Sequence, residues 1–394
     1  MTAPQIPQLP KVAFIQPYGL GESNGGAKIL RSLVQDAPVD VISCNTSPWP
    51  SLPPSSIPEI HLSTRPFFGR LESTRFAWVP SLFDSVWLRK WTVRLKNWLV
   101  QEGVSHLHIV PHSGVDYRAA TLCARKLGLP LNMSVHDHPR YCFKGQVGIK
   151  SKLRAFGEAW RDSASRFVIS EPMGLALCRE FGERSWQVVT DGVNAEPLAP
   201  RVTQSEVLNI YFMGLFHQSY QDNLRALLAA RTMIHEQGGK KRLRVRLRCG
   251  SIPAGLVTEQ DEVEILPFST QDQVLRDMEE ADLLYLPLPF GEEHADFVRY
   301  SLSTKMVTYL GSGRPILLHA PTASAAADLL LRARAATHLP INSPEELAGV
   351  LGGILKTPEL LQGSVSNALR LAQTQFDLQA IHSRFWKAVL SAQI

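Results

Sequence analysis

The sequence predicts an α/β protein made of two doubly wound, mostly parallel sheets, and three observations carry that expectation. Short apolar runs alternate with helix-period segments from Val12 to Phe181. The same alternation resumes at Leu208 and continues to His319. Between them, Asn194 to Glu206 contains Ala195-Glu-Pro-Leu-Ala-Pro-Arg201, a composition suited to a linker. Parallel strands need long crossovers and are covered on both faces, so they read as apolar runs separated by helices. At 394 residues the chain is long enough for two domains of ordinary size.

The elements follow in order. Val12 to Ile15 is the first strand, and the turn-rich segment Gln16 to Gly26 leads to Ile29, Leu30, Leu33 and Val34 at helical spacing. Val39 to Ser43, His106 to Val110, Leu131 to Val135 and Arg166 to Ser170 read as further strands, with helices at Tyr117 to Leu127 and Pro172 to Phe181. In the second half Leu208 to Met213 is a strand and Asn223 to Ile234 a helix. Leu243 to Arg248 alternates strictly, which puts apolar residues on one face and arginines on the other. Val263 to Leu266, a helix near Gln273 to Glu280, Asp282 to Pro287 and Pro315 to His319 complete the pattern. Asp377 to Leu390 is helical, with Ile381, Phe385, Trp386 and Val389 on one face and Trp386 as a packing anchor. Ligands are expected at the carboxyl ends of the strands, in a cleft between the two domains.

Composition narrows the class. Hydrophobic residues are 44% and charged residues 20%, as in ordinary globular proteins. No apolar run approaches the roughly 18 residues that a membrane span needs. The amino-terminal segment lacks the basic flank and apolar core of a signal peptide. The five cysteines are scattered, odd in number and without zinc spacing, which suits a reducing cytoplasm. A net charge of +5 favours anionic ligands or surfaces without demanding nucleic acid.

The stretch from Arg299 to Pro315 carries the most chemistry. It reads as a loop with two cations, Arg299 and Lys305, then a short helix, a glycine stop at Gly311 to Gly313 and a buried strand. Ser303 or Thr304 can cap that helix by accepting a first-turn amide proton. The remaining amides sit at the positive end of the helix dipole, which favours an anion. Lys305 opposes that dipole unless an anion lies between, and Arg299 offers a planar fork suited to phosphate. On these residues alone two readings stay open, a cradle for the diphosphate of a nucleotide sugar and a basic loop before an ordinary helix.

Motifs in fixed order then extend over almost the whole chain. They are Gly25-Gly26-Ala27-Lys28, Val135-His136-Asp137, Val168-Ile-Ser-Glu-Pro-Met-Gly174, Val188-Val-Thr-Asp-Gly-Val-Asn194, Ile210-Tyr-Phe-Met-Gly214, Ala281 to Pro287, and Ser303-Thr-Lys305 through Gly313-Arg-Pro315. With these the chain resembles the GT-B fold glycosyltransferases, and among them glycosyltransferase family 4 and its close relatives.

The resemblance implies two Rossmann-like domains facing across a cleft. Residues 1–195 would form the acceptor side, 206–375 the donor domain, and 376–394 a helix crossing back to the amino-terminal domain. It implies a nucleotide-sugar donor, a glycan, lipid-linked or small-molecule acceptor, retention at the anomeric carbon and no required metal or other cofactor. The sequence has no obvious Asp-X-Asp pair placed beside a diphosphate. Arg299 and Lys305 would then neutralise the departing diphosphate, with amides and hydroxyls from Ser301, Ser303 and Thr304. His136 would hydrogen-bond the transferred sugar or share charge with its oxocarbenium-like centre. Taken alone, His136 reads more readily as a histidine that closes a strand end through its own polar contacts. Gly25, Gly26 and Gly214 would let the backbone approach the donor or acceptor.

Departures from the family pattern are specific. Leu215 to Gln221 has no Arg or Lys where many members carry both, with His217 as a weak substitute. Thr308 stands where many members place the glutamate that contacts the ribose, and Tyr300 replaces a second glutamate eight positions earlier. Glu292, Glu293 or Asp296 could supply a carboxylate instead, or form a solvated acidic turn. These losses keep a second function open, a non-catalytic nucleotide-sugar-binding or scaffold protein with the same fold.

Residues 65–98 mix seven cations with eight aromatic residues, among them Trp87, Trp91 and Trp98. Two readings stay open, peripheral contact with the inner face of an anionic membrane and an amphipathic helix with buried tryptophans. No nucleic-acid motif accompanies them. The expected location is the cytoplasm.

Overall fold

The computed structural model describes residues 9–47, 50, 53–64, 76, 78–79, 83–112, 114–146, 148–194, 200–202, 206–236, 242–258 and 263–392. Much of the expected linker and the basic–aromatic residues 65–75 lie outside them. The chain divides into two compact units, one ending at Asp191 and resuming at Ala380, the other Gly192–Gln379.

The first unit is built on a seven-stranded sheet. Its strands are β1 (Lys11–Gln16), β2 (Asp40–Asn45), β3 (Glu59–His61), β4 (His106–Ile109), β5 (Leu131–Val135), β6 (Ser165–Val168) and β7 (Gln187–Val188). Their order is β3-β2-β1-β4-β5-β6-β7, and every pair is parallel. The connecting helices are α1 (Gly25–Val34), α2 (Asp84–Gln101), α3 (Val115–Leu127), α4 (Pro139–Cys142), α5 (Ile149–Asp162) and α6 (Glu171–Phe181). Every residue of β5 is buried, which is why this strand reads as a run without alternation.

The second unit repeats the plan with six strands. They are β8 (Val207–Met213), β9 (Arg242–Arg248), β10 (Val263–Leu266), β11 (Leu283–Pro287), β12 (Ile316–His319) and β13 (Thr337–Leu339), in the order β10-β9-β8-β11-β12-β13, all parallel. Its helices are α7 (Gln221–Glu236), α8 (Gln271–Glu280), α9 (Ala295–Tyr300), α10 (Thr304–Leu310), α11 (Ala325–Arg332), α12 (Pro344–Lys356) and α13 (Gln362–Gln375). In each sheet the winding reverses at one pair of neighbours, β1 with β4 and β8 with β11. Ligands of doubly wound sheets bind beyond the carboxyl ends of strands at such a reversal.

Three strands have no counterpart in the sequence reading. β3, β7 and β13 have 3, 2 and 3 residues and lie at sheet edges, too short to display a period. The arginine face of β9 is not a uniformly free basic surface. Arg246 bridges Glu264 and Glu280 at 2.8 Å each, and Arg248 pairs with the buried Asp277.

The last helix, α14 (Leu378–Leu390), packs on the first unit from Ala380 onward. Trp386 is 2% exposed, donates Nε1–H to the Leu33 carbonyl at 2.7 Å and meets Phe14 and Phe385 edge-on. Removing such a side chain loses its transfer free energy and leaves a cavity, so Trp386→Ala should destabilise the protein by about 3–5 kcal/mol. The midpoint of urea unfolding checks this, and an unchanged midpoint would refute the anchor.

Helix α2 turns its tryptophans inward rather than toward solvent. Trp91 is buried and donates to the Leu62 carbonyl at 2.9 Å, and Trp87 and Trp98 are half-buried. The outward face carries Arg89, Lys90, Arg94 and Lys96 around the exposed Val86, Val93 and Val100. This favours the amphipathic-helix reading for Trp87, Trp91 and Trp98 and leaves the cations at the surface, whereas Phe76, Trp78 and Phe83 are exposed. Among the described residues no helix is long and apolar enough to cross a membrane.

Candidate functional site

In the second unit the site is built at the carboxyl end of β8. Gly214 follows that strand with φ +90°, a backbone region L side chains rarely adopt. A Cβ here would also lie 3.0 Å from Cε of Lys305. The lysine stem therefore lies against the bare glycine, and its ammonium sits 5.4 Å from the ring centre of Phe212 and 5.3 Å from that of Tyr220. Cation–aromatic contact of this kind holds the charge in place. Tyr309, one turn further along α10, accepts the amide proton of Met213 at 3.1 Å and ties the helix to the strand end.

Ser303, not Thr304, caps α10, its Oγ accepting from the Lys305 amide at 3.3 Å. Thr304 opens the helix, and Ser301 is buried at the end of α9 with its amide bonded to the Phe297 carbonyl at 2.8 Å. Thr308 is 6% exposed and donates to the Thr304 carbonyl at 3.1 Å. Arg299 does not lie in a loop, as the sequence reading had it. It occupies the last turn of α9, where its side chain is exposed. That helix has six residues, too few for a periodic signal.

The charge near Lys305 has company that the sequence reading weighed lightly or missed. Burial lowers the His217 pKa, and the nearby charges of Lys305 and His294 lower it further. His217 meets Tyr220 edge-on, with ring centres 5.7 Å apart, and so shares that ring with Lys305. His294, at the end of the turn Glu292–His294, carries no linear signal of this position. Glu292 and Glu293 are exposed, consistent with a solvated turn.

In the first unit the corresponding strand ends hold a second set. Asn24 caps α1, its Oδ1 accepting from the Ala27 amide at 2.8 Å, so Gly25 and Gly26 form the first turn. Gly26 is not open to a ligand on its Cβ side. A Cβ there would lie 2.6 Å from both Cζ and Oη of Tyr18, so the glycine makes room for that ring. The loop before α1 is held by Arg31, which donates to the Leu20 and Glu22 carbonyls, and by Glu22, whose carboxylate accepts the Gly19 amide at 2.7 Å. Lys28 reaches the buried Asp191 at 2.9 Å.

His136 stands immediately after β5, half-buried, with Nδ1 3.0 Å from the Tyr18 hydroxyl. Burial lowers its pKa to about 4, so the imidazole is neutral at pH 7. His138 caps α4, its Nδ1 accepting from the Arg140 amide at 3.4 Å. Beneath His136, His108 is fully buried against Ser134 at 2.9 Å and is lowered to about 3, first by burial and then by His136.

These imidazoles have a consequence for stability. The unfolded chain binds their protons near pH 6.5, whereas the folded chain resists until about 4 for His136 and about 3 for His108. Their contribution is complete above pH 6.5 and is lost as pH falls toward 4, because the unfolded state then holds more protons. The urea midpoint should accordingly decline between pH 7 and 4.5, and less steeply in His108→Asn. Identical slopes would mean that His108 is not held neutral by the fold.

Among the described residues no group of three or more His, Cys, Asp or Glu side chains is placed to hold a metal ion. No protein-family model matches the chain, and no curated protein matches it. Solved structures do. Sucrose-phosphate synthase from Thermosynechococcus elongatus aligns with a TM-score of 0.70 at 14% identity, over 98% of this chain and 100% of that one. Anabaena HepE in complex with UDP gives 0.67 at 12% identity, over 97% and 100%. A glycosyltransferase from Rickettsia africae gives 0.64 at 10%, over 98% and 99%. The fold is GT-B-like. At these identities the likeness establishes architecture, and what the chain does has to be argued from its own residues.

Proposed function

We propose that this protein is a glycosyltransferase that moves a sugar from a nucleotide-sugar donor to a glycan, lipid-linked or small-molecule acceptor. The observation that carries this reading is the fit of Lys305 against Gly214 at the point of reversal of the second sheet. A bare backbone and a fixed ammonium there suit the diphosphate of the donor. As the bond from sugar to diphosphate breaks, negative charge grows on the leaving oxygens, and Lys305 stabilises it where it appears. His217 and His294 add nearby imidazoles that can donate hydrogen bonds, and Ser303 and Thr304 line the start of α10. HepE was solved with UDP and with UDP-glucose, which supports a nucleotide-sugar donor for this fold. The neutral His136 of the first unit offers a hydrogen-bond donor suited to a sugar hydroxyl, the role the family resemblance implies for it. Transfer with retention at the anomeric carbon, and without a required metal, follows the family resemblance, and product NMR reads the retained configuration directly.

A second reading rests on Thr308, whose hydroxyl is spent on its own helix where a ribose-binding carboxylate would be expected. It makes the protein a nucleotide-sugar binder without turnover. One screen separates the two. The purified protein is tested against UDP-, GDP-, ADP- and dTDP-sugars by thermal shift and by release of the nucleotide. A shift with release supports the transferase, and a shift without release under any acceptor supports the binder. No shift with any nucleotide contradicts both.

A further inference from the structure

We propose that Tyr18 is a positioning residue that fixes His136 in the tautomer with its proton on Nε2, so that the imidazole offers a donor and not a base. The geometry begins with the 3.0 Å contact between the Tyr18 hydroxyl and His136 Nδ1. Either group could in principle donate across it. A neutral imidazole has one N–H, and the nitrogen without it accepts. If Nδ1 carried the proton, the phenol would have to accept, and its own O–H would need another acceptor. Among the described residues Nδ1 is the hydroxyl's one hydrogen-bond partner, and of the two pairings the phenol is the stronger donor and the imidazole nitrogen the stronger acceptor. The phenol therefore donates, Nδ1 accepts, and Nε2 holds the hydrogen.

Two further observations support this assignment. The Tyr18 ring has little freedom to turn away. It fills the space beside Gly26, where any Cβ would collide with it, and it lies nearly parallel to the imidazole, at 16°. Burial, with Asp137 and Glu22 nearby, keeps the phenol protonated, and burial keeps the imidazole neutral. Gly26 thus has a structural reason in the first unit that does not involve phosphate, namely to let a tyrosine set the proton of a histidine.

The use made of the Nε2–H donor rests on the transferase reading above, but the tautomer does not. The test is long-range proton–nitrogen NMR of the full-length protein with nitrogen-15-labelled histidine. Twelve histidines contribute, so the signal lost in His136→Gln identifies His136. The wild type should show a protonated Nε2 and a bare Nδ1 at pH 7. Tyr18→Phe, which removes one oxygen and keeps the ring, should give a mixture of tautomers. Gly26→Ala, which displaces the phenol by a different route, should do the same if the first variant folds poorly. A proton on Nδ1 in the wild type overturns the proposal, as does an unchanged spectrum in whichever variant folds. If transfer is detected, Tyr18→Phe should lower kcat about tenfold with KM little changed, the size of one lost hydrogen bond. His136→Gln, whose amide can donate from nearly the same place, should be insensitive to the tyrosine change. A tautomer that shifts in a protein with no transferase activity would retain the positioning role and remove the function assigned to it.

Discussion

Replacing Lys305 with methionine should lower kcat/KM for sugar transfer by roughly 100- to 1,000-fold, the range seen when one preorganised transition-state donor is removed. Methionine keeps an unbranched stem against Gly214 and the rings of Phe212 and Tyr220, so packing survives while the charge goes. Alanine should produce the same kinetic loss plus a further loss of stability, since it also removes the stem packed against Gly214. The split between the variants matters. If the lysine served only to pack, methionine would be nearly silent in the assay and alanine would not. If it neutralises the leaving group, both lose activity and only alanine loses appreciable stability. Arg299 provides the comparison within the same segment. Its exposed place on α9 gives it a weaker claim on the diphosphate than the sequence suggested, and Arg299→Ala should cost less than either Lys305 variant.

Gly214→Ala should be nearly as damaging, for a backbone reason. With φ at +90° an alanine is strained even in open space, and holding such a conformation costs about 1–3 kcal/mol. The space is not open, because the new methyl would lie 3.0 Å from Lys305 Cε. The stem must shift by a few tenths of an ångström, which disturbs the seat of the ammonium on the Phe212 and Tyr220 rings. Both folding stability and nucleotide affinity should therefore fall. Combining Gly214→Ala with Lys305→Ala separates the causes. The double variant should recover the part of the stability loss that comes from the clash and retain the part that comes from φ. Simple additivity would show that the two residues do not press on one another.

The sequence exposed most of the architecture because buried parallel strands are written as local apolar runs. Leu208 to Met213 and Leu131 to Val135 needed no long-range information. β3, β7 and β13 escaped because two or three residues at a sheet edge have no period to detect. α9 escaped for a similar reason, and with it the true setting of Arg299.

The candidate site was legible in part. Gly214 and Lys305 were each visible as residue types at suggestive places, but their mutual contact is a property of β8 and α10 lying together. Tyr18 is 118 residues from His136, and no spacing rule joins them. Gly26 illustrates the limit most clearly. The residue signals that a side chain is excluded there, and the structure supplies the reason, a tyrosine ring in the vacated space. Thr308 and the loop after Gly214 show the complementary case. Their departure from the family pattern was evident in sequence, whereas the gathering of His217 and His294 near Lys305 was not.

The central claim is that a nucleotide diphosphate is held at Gly214 and Lys305. Calorimetric titration of UDP, GDP, ADP and dTDP into the wild type and Lys305→Met, side by side, tests it most directly. The account predicts that at least one nucleotide binds the wild type and binds the variant about tenfold or more weakly, the loss expected for a charge-assisted contact. Equal affinity for both proteins, or no binding of any nucleotide to the wild type, would contradict it.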